Sequence, residues 1–207
     1  MRQPKKRSGH APVGRGPTEP GTSCEAEADR GRIRSISSLS TTDFEAGIYL
    51  LPPSRVIGKA FVHLPGEEGY RQFVKALFEL FDSETWNKTI RALPMLVPNT
   101  AWGFTCEYVA ETDSFTYLQS VLTPEGTPVP DGLDSRDVPS TLVWASPRGG
   151  PPFADAVRDR PELSGYVVNF DAPSFPWQAE VRFDDEAEEH PGDPWEHWFS
   201  PVKREGQ

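Results

Sequence analysis

Two carboxylates and a set of aromatic rings are the side chains in this chain best suited to chemistry. Glu180, in Gln-Ala-Glu-Val-Arg-Phe, and Glu107, in Phe-Thr-Cys-Glu-Tyr-Val, both lie in runs with strand character. A carboxylate among aromatic rings has two uses. It can pair with an organic cation, or it can activate water where burial raises its pKa. The competing reading of each is a solvated strand-edge acid, since charged side chains are mostly exposed. Glu180 lies near the acidic run Asp184-Asp185-Glu186, and Glu107 shares a strand face with Thr105 and Val109. The rings are Trp102, Phe104, Tyr108, Tyr117, Trp144, Trp177 and Trp198. They offer wide contact area and faces that attract cations, although core packing is the commoner use of any one ring.

Other chemistries find little footing. His190 and His197 have the spacing of neither a zinc finger nor a helical metal pair, and Asp184–Glu189 lacks the ligand order of a calcium loop, so no metal is expected. No Gly-x-Ser-x-Gly nucleophile turn and no glycine-rich phosphate loop occurs, and no cofactor is called for. Cys24 falls in a polar tail and Cys106 in a strand, which makes neither a disulfide framework nor a metal set.

The elements that must position these groups follow from periodicity. Trp102–Leu122 reads as a hairpin. Trp102, Phe104, Cys106 and Tyr108 alternate with Gly103, Thr105, Glu107 and Val109; the break at residues 110–114 is polar; Phe115 and Tyr117 then alternate with Thr116 and Leu118. Ahead of it, Ile48–Leu51 is a strand that stops at Pro52-Pro53, and Arg55–Val62 is a second, with Gly58 marking a bulge or a close backbone approach. Gly66–Phe81 carries Tyr70, Phe73, Val74, Leu77, Phe78 and Phe81 at three- and four-residue steps, the stripe of an amphipathic helix whose first turn holds Glu67 and Glu68. Phe73, Leu77 and Phe81 are expected to cover a sheet face. A helical turn is expected around Trp86–Leu93, ended by Pro94.

A second series follows. Thr141–Ala145 is a strand, Pro152–Arg160 a short helix, and Tyr166–Phe170, Glu180–Phe183 and Trp195–Val202 are strands. The order strand, helix, strand, strand thus occurs twice, over about residues 45–125 and 132–203. The expected fold class is α+β.

Residues 1–44 show no apolar periodicity and are expected to be a disordered tail, dispensable for folding, with the domain occupying residues 45–207. The basic stretch Met1–Arg7 reads as a solvated segment rather than a nucleic-acid arm. The 207 residues carry a formal net charge of -10, which leaves no basic footprint for direct nucleic-acid binding. No apolar run is long enough for a membrane span, and no secretory signal is seen; a cytoplasmic protein, monomeric or weakly dimeric, is expected.

Several motifs in order resemble the GyrI-like small-molecule-binding domains, relatives of AraC-type effector domains. Gly58 stands in the opening strand, and Trp102-Gly103-Phe104 takes the place of a Tyr-Gly-Val hairpin. Gly132–Pro139 is similar to a Gly-Leu-Glu-Ser-Arg-x-Ile/Val-Pro stretch. Gly165-Tyr166 resembles the Gly-Tyr after the second helix, and Trp198–Lys203 the Trp-Ile-Pro-Val-Lys ending with one residue inserted. The match spans about residues 46–203. The resemblance implies two pseudo-symmetric strand-helix-strand-strand units, antiparallel sheets and a central ligand cleft. It also implies a pocket glutamate in a Phe-Glu-x-Tyr stretch. Aligning on Phe175 puts Pro176 there and aligning on Arg182-Phe183 puts Trp177 there, so Glu180 serves only if the strand is shifted.

The expected site is a cleft lined by Trp102, Phe104, Tyr108, Tyr117 and Trp177, with Glu180 as its acid. Three functions compete. One is capture of a hydrophobic, planar or cationic small molecule for sequestration or self-protection. Another, implied by the resemblance, is hydrolysis of cyclopropane-bearing DNA-alkylating natural products, with Glu180 as the catalytic group. The third is the sensor part of a transcription regulator, against which stands the lack of a helix-turn-helix in the sequence.

Overall fold

A computed structural model describes residues 33–36, 45–146, 153–160, 163–169, 178–183 and 197–206, all within a compact unit from Arg32 to Gln207. The described strands are β1 (Arg34–Ser35), β2 (Gly47–Leu51), β3 (Ser54–His63), β4 (Thr100–Val109), β5 (Ser114–Pro124), β6 (Asp134–Val138), β7 (Thr141–Ser146), β8 (Tyr166–Val168), β9 (Gln178–Phe183) and β10 (His197–Arg204). The helices are α1 (Gly66–Phe81) and α2 (Phe153–Asp159), with a π-helical turn over Thr85–Ile90. The fold is α+β.

The strands form a single sheet in the order β1-β2-β7-β10-β9-β4-β5-β3-β6, with β8 beside β10. All neighbours run antiparallel except β1 and β2. The expected separate sheets are therefore continuous, because β9 pairs along β4 from Thr105↔Gln178 to Thr100↔Phe183. On one side of that junction the order is β4-β5-β3, and on the other β9-β10-β7. The strand preceding each series crosses over: β2 pairs with β7, and β6 pairs with β3.

Strand alternation sorts the side chains onto two faces. One face is curled onto itself. Tyr49, Leu51, Val56, Trp102, Phe104, Leu118, Val143, Ala179, Val181 and Phe199 form one buried cluster there, drawn from strands spread across the sheet. The opposite face carries both helices. α1 and the π-helical turn lie over β3, β5 and the start of β4, through Leu80, Trp86, Ile90, Ala101 and Val121. α2 lies over β2, β7 and β10, through Phe153, Ala156, Ile48, Trp144 and Val202.

The predicted helix over Gly66–Phe81 matches α1, and the predicted turn near Trp86 is π-helical. Leu77 and Leu80 are the buried residues of α1. Phe73 packs edge-on against Phe61 and Tyr117, whereas Tyr70 and Phe78 are exposed. The close approach expected at Gly58 is present: a Cβ there would lie 1.9 Å from the Gln119 carbonyl oxygen. One expectation is corrected at residues 33–36. Arg34 and Ser35 pair with Tyr49 and Leu50, Arg34 forms an ion pair with Glu45, and Ile36 is fully buried with Tyr49 and Leu51. A short apolar anchor thus sits in a segment whose polar composition hides it. The rest of the expected tail lies outside the described residues.

Candidate functional site

The strip of sheet between the two helices runs along β9 and β4. In β9, Gln178, Glu180 and Arg182 are half-buried, while Ala179, Val181 and Phe183 between them are buried in the core. The same alternation continues in β10, where Trp198 and Ser200 are half-buried between His197, Phe199 and Pro201. The half-buried set faces the helix side. Register places Trp198 opposite Glu180 on one flank, and Gly103 opposite Glu180 on the other. Directly paired residues have Cβ atoms about 5 Å apart, so Trp198 and Glu180 leave the sheet side by side on one face.

Tyr117 reaches the same point from β5. It pairs with Thr105, one step along the strand from Gly103 on the same face, and its hydroxyl donates to Glu180 Oε2 at 3.3 Å. Phe73 of α1 closes over the ring, with centroids 5.1 Å apart. Tyr117 is only 5% exposed. Among the described residues, that phenol is the only hydrogen-bond partner of the Glu180 carboxylate. Burial pushes the Glu180 carboxyl up to about 7, and the Tyr117 hydrogen bond pulls it partly back. Burial, followed by the Glu180 charge, raises the Tyr117 phenol well above its ordinary value.

Glu107, the other candidate acid, has a different setting. It sits at positive φ (55°), where the pairing of β4 with β5 slips between Cys106 and Val109. Its Oε1 accepts from Arg136 at 2.6 Å and 2.9 Å. A hydrogen bond from Thr116, then the Arg136 contact, holds its carboxyl below the ordinary range.

The other expected site residues separate. Trp102 and Phe104 are each 1% exposed and lie on the face opposite Glu180. They stack on one another with centroids 5.6 Å apart, and Trp102 also meets Phe199. Alternation forbids them from sharing a cleft with Glu180, so that placement is corrected. Tyr108 is 53% exposed within the slip in β4, where its hydroxyl donates to Asp113. Trp177 lies outside the described residues, as does His190. Trp144 is buried under α2 against Phe153. Cys106 is a buried free thiol pushed up to about 11 by burial, too high for a thiolate nucleophile at neutral pH.

Three residues absent from the expected site belong to it: Gly103, Phe73 and Trp198. Trp198 was one ring among seven, and only the β9–β10 register singles it out. Chemically, the arrangement is a half-buried acid flanked by an indole and a phenol. It can hold a positive charge against aromatic surface, or hold a proton near neutrality.

Among the described residues, no helix is long and apolar enough to cross a membrane. No model of a known protein family matches the chain. No curated protein matches it. Among solved structures, the chain is similar to SAV2435 bound to tetraphenylphosphonium, at 15% identity over 77% of this chain and 94% of that one, with a TM-score of 0.48. A candidate transcription regulation protein from Staphylococcus aureus is similar at 14% identity, over 77% of this chain and 99% of that one, with a TM-score of 0.46. The C-terminal domain of EcmrR is similar at 13% identity, over 78% and 99% of the two chains, with a TM-score of 0.43.

Proposed function

We propose that this protein binds a hydrophobic, planar organic cation in a cleft between α1 and α2, with Glu180 as the counter-charge and Trp198 and Tyr117 as aromatic walls. One observation carries the reading. A half-buried carboxylate has a phenol as its only hydrogen-bond partner among the described residues, beside an indole that is itself half-buried. A desolvated anion without a cationic partner is costly to keep. An organic cation supplies the missing charge, and its apolar body covers the rings. In this reading the runs β3-α1-β4-β5 and β7-α2-β9-β10 are pseudo-symmetric halves, and the cleft lies at their junction. The mirrored strand orders and the reciprocal crossing of β2 and β6 support that view. Binding then serves sequestration or self-protection, with the ligand released unchanged.

A second reading is favoured by the same carboxyl. An acid raised to about 7 is suited to take a proton from water. Hydrolysis of a cyclopropane-bearing alkylating compound would use it as a general base. The two readings separate on incubation with aromatic cations, neutral isosteres of them and cyclopropane alkylators, followed by mass spectrometry. The binding reading expects the cations to be retained and returned with unchanged mass. Recovery of a cyclopropane substrate with the mass of one added water would replace that reading with the second. Retention of neutral isosteres as tight as that of the cations would remove the counter-charge from either account.

A further inference from the structure

We propose that Gly103 is a positioning residue: the space its side chain would fill is the seat of the Tyr117 hydroxyl, and that seat is what lets the hydroxyl reach Glu180. The proposal rests on the cleft described above but deepens it by naming what builds its floor. Gly103 lies in mid-strand and is not among the glycines with positive φ, so its backbone does not call for glycine. The space above it does. A Cβ built on Gly103 would stand 1.7 Å from the Tyr117 hydroxyl oxygen, 2.4 Å from Cζ and 3.1 Å from Cε2. No non-bonded heavy atoms approach so closely, so any side chain at this position must displace the phenol.

The register explains the geometry. Tyr117 is directly opposite Thr105, and Gly103 is its diagonal neighbour, within reach of an aromatic side chain. Glu180 lies one strand further on, opposite Gly103. The only route from Tyr117 to Glu180 along the sheet surface therefore crosses β4 at Gly103. Phe73 packs edge-on against the ring from α1, so the phenol cannot lift without displacing Phe73. With a methyl group at 103 the hydroxyl leaves Glu180 and the ring moves toward the space a ligand would occupy.

The test needs no ligand. Gly103→Ala, Tyr117→Leu and the double variant are made in the full chain, and their melting temperatures are compared. Leucine is too short to reach Gly103, so it vacates the seat. Gly103→Ala should lower the melting temperature in the wild-type background and leave it nearly unchanged in the Tyr117→Leu background. An equal fall in both backgrounds overturns the proposal. If Gly103→Ala alone does not fold, the double variant decides: folding like Tyr117→Leu supports the seat, and failure to fold where Tyr117→Leu folds overturns it. A second readout is the side-chain carboxyl resonance of Glu180, assigned through Glu180→Gln. Its titration midpoint should rise in Tyr117→Phe and rise to the same extent in a folded Gly103→Ala. A Gly103→Ala protein whose Glu180 midpoint stays at the wild-type value overturns the proposal. Absence of cation binding in the wild type would remove the function proposed above and leave these measurements standing by themselves.

Discussion

Glu107 and Glu180 occupy similar sequence settings, each inside an alternating strand, yet the fold gives them opposite characters. Glu107 stands where β4 slips against β5, half its side chain is exposed, and Arg136 pairs with it. Its carboxyl is held below the ordinary range, so it is a fixed charge at any physiological pH. Glu180 stands in regular pairing beneath the gap between two helices, with a phenol in place of a guanidinium. Its carboxyl titrates near neutrality. The chemistry of an acid here follows from register and partner, not from the residues beside it in sequence.

The sharpest way to break this comparison is the pH dependence of stability. The folded-state pKa of Glu180 is raised, to about 7 from an ordinary 4.5. Between those values the folded protein holds a proton that the unfolded chain has released. This group's contribution therefore makes stability fall as pH rises through that window, by about 3 kcal/mol at most. Denaturant unfolding at pH 5 and pH 8 should show the decline, and Glu180→Gln should flatten it. A slope that survives Glu180→Gln would place the titrating group elsewhere.

Next in size is the aromatic wall. Trp198→Ala should weaken binding of an aromatic cation by roughly 0.5–2 kcal/mol, measured by fluorescence or calorimetric titration. An unchanged affinity would take Trp198 out of the cleft. The smallest effect belongs to Glu107. Glu107→Gln should change stability at neutral pH by less than about 1 kcal/mol, because the Arg136 pair is substantially solvated. The sign also differs from that of Glu180: the Glu107 contribution is present above the ordinary carboxylate range and is lost as pH falls through its lowered pKa. Acid titration of the wild type against Glu107→Gln checks this.

Much of the fold is legible in the chain because it is written in local periods. The stripe of α1 and the alternation of β4 and β5 each need only neighbours in sequence to be seen. The strand β6 was not legible as a strand, since Asp-Ser-Arg-Asp-Val is polar and pairs as an edge beside β3. Ile36 was hidden for the same reason, one apolar residue in a polar segment. At the site, the type of Glu180 was legible and its surroundings were not. Alternation shows that Trp102 and Phe104 share a face, but not which face opens to a ligand. In a sheet curled onto itself, Trp102 and Phe104 turn inward, away from Glu180. What collects around Glu180 comes from β4, β5, β10 and α1, and only long-range register brings Gly103, Tyr117, Trp198 and Phe73 together.

The central claim is that the charge of Glu180 holds a cation in this cleft. Tetraphenylphosphonium, an aromatic cation with no hydrogen-bond donor, isolates charge and ring contacts from hydrogen bonding. Calorimetric titration of it into the wild type at pH 6 and pH 8 should show affinity rising about four- to tenfold, as a carboxyl with a pKa of about 7 passes from mostly neutral to mostly ionised. Glu180→Gln should bind roughly 1–3 kcal/mol more weakly than the wild type at pH 8 and show no such rise. A Glu180→Gln protein that binds tetraphenylphosphonium as tightly as the wild type, with the same dependence on pH, would contradict the account.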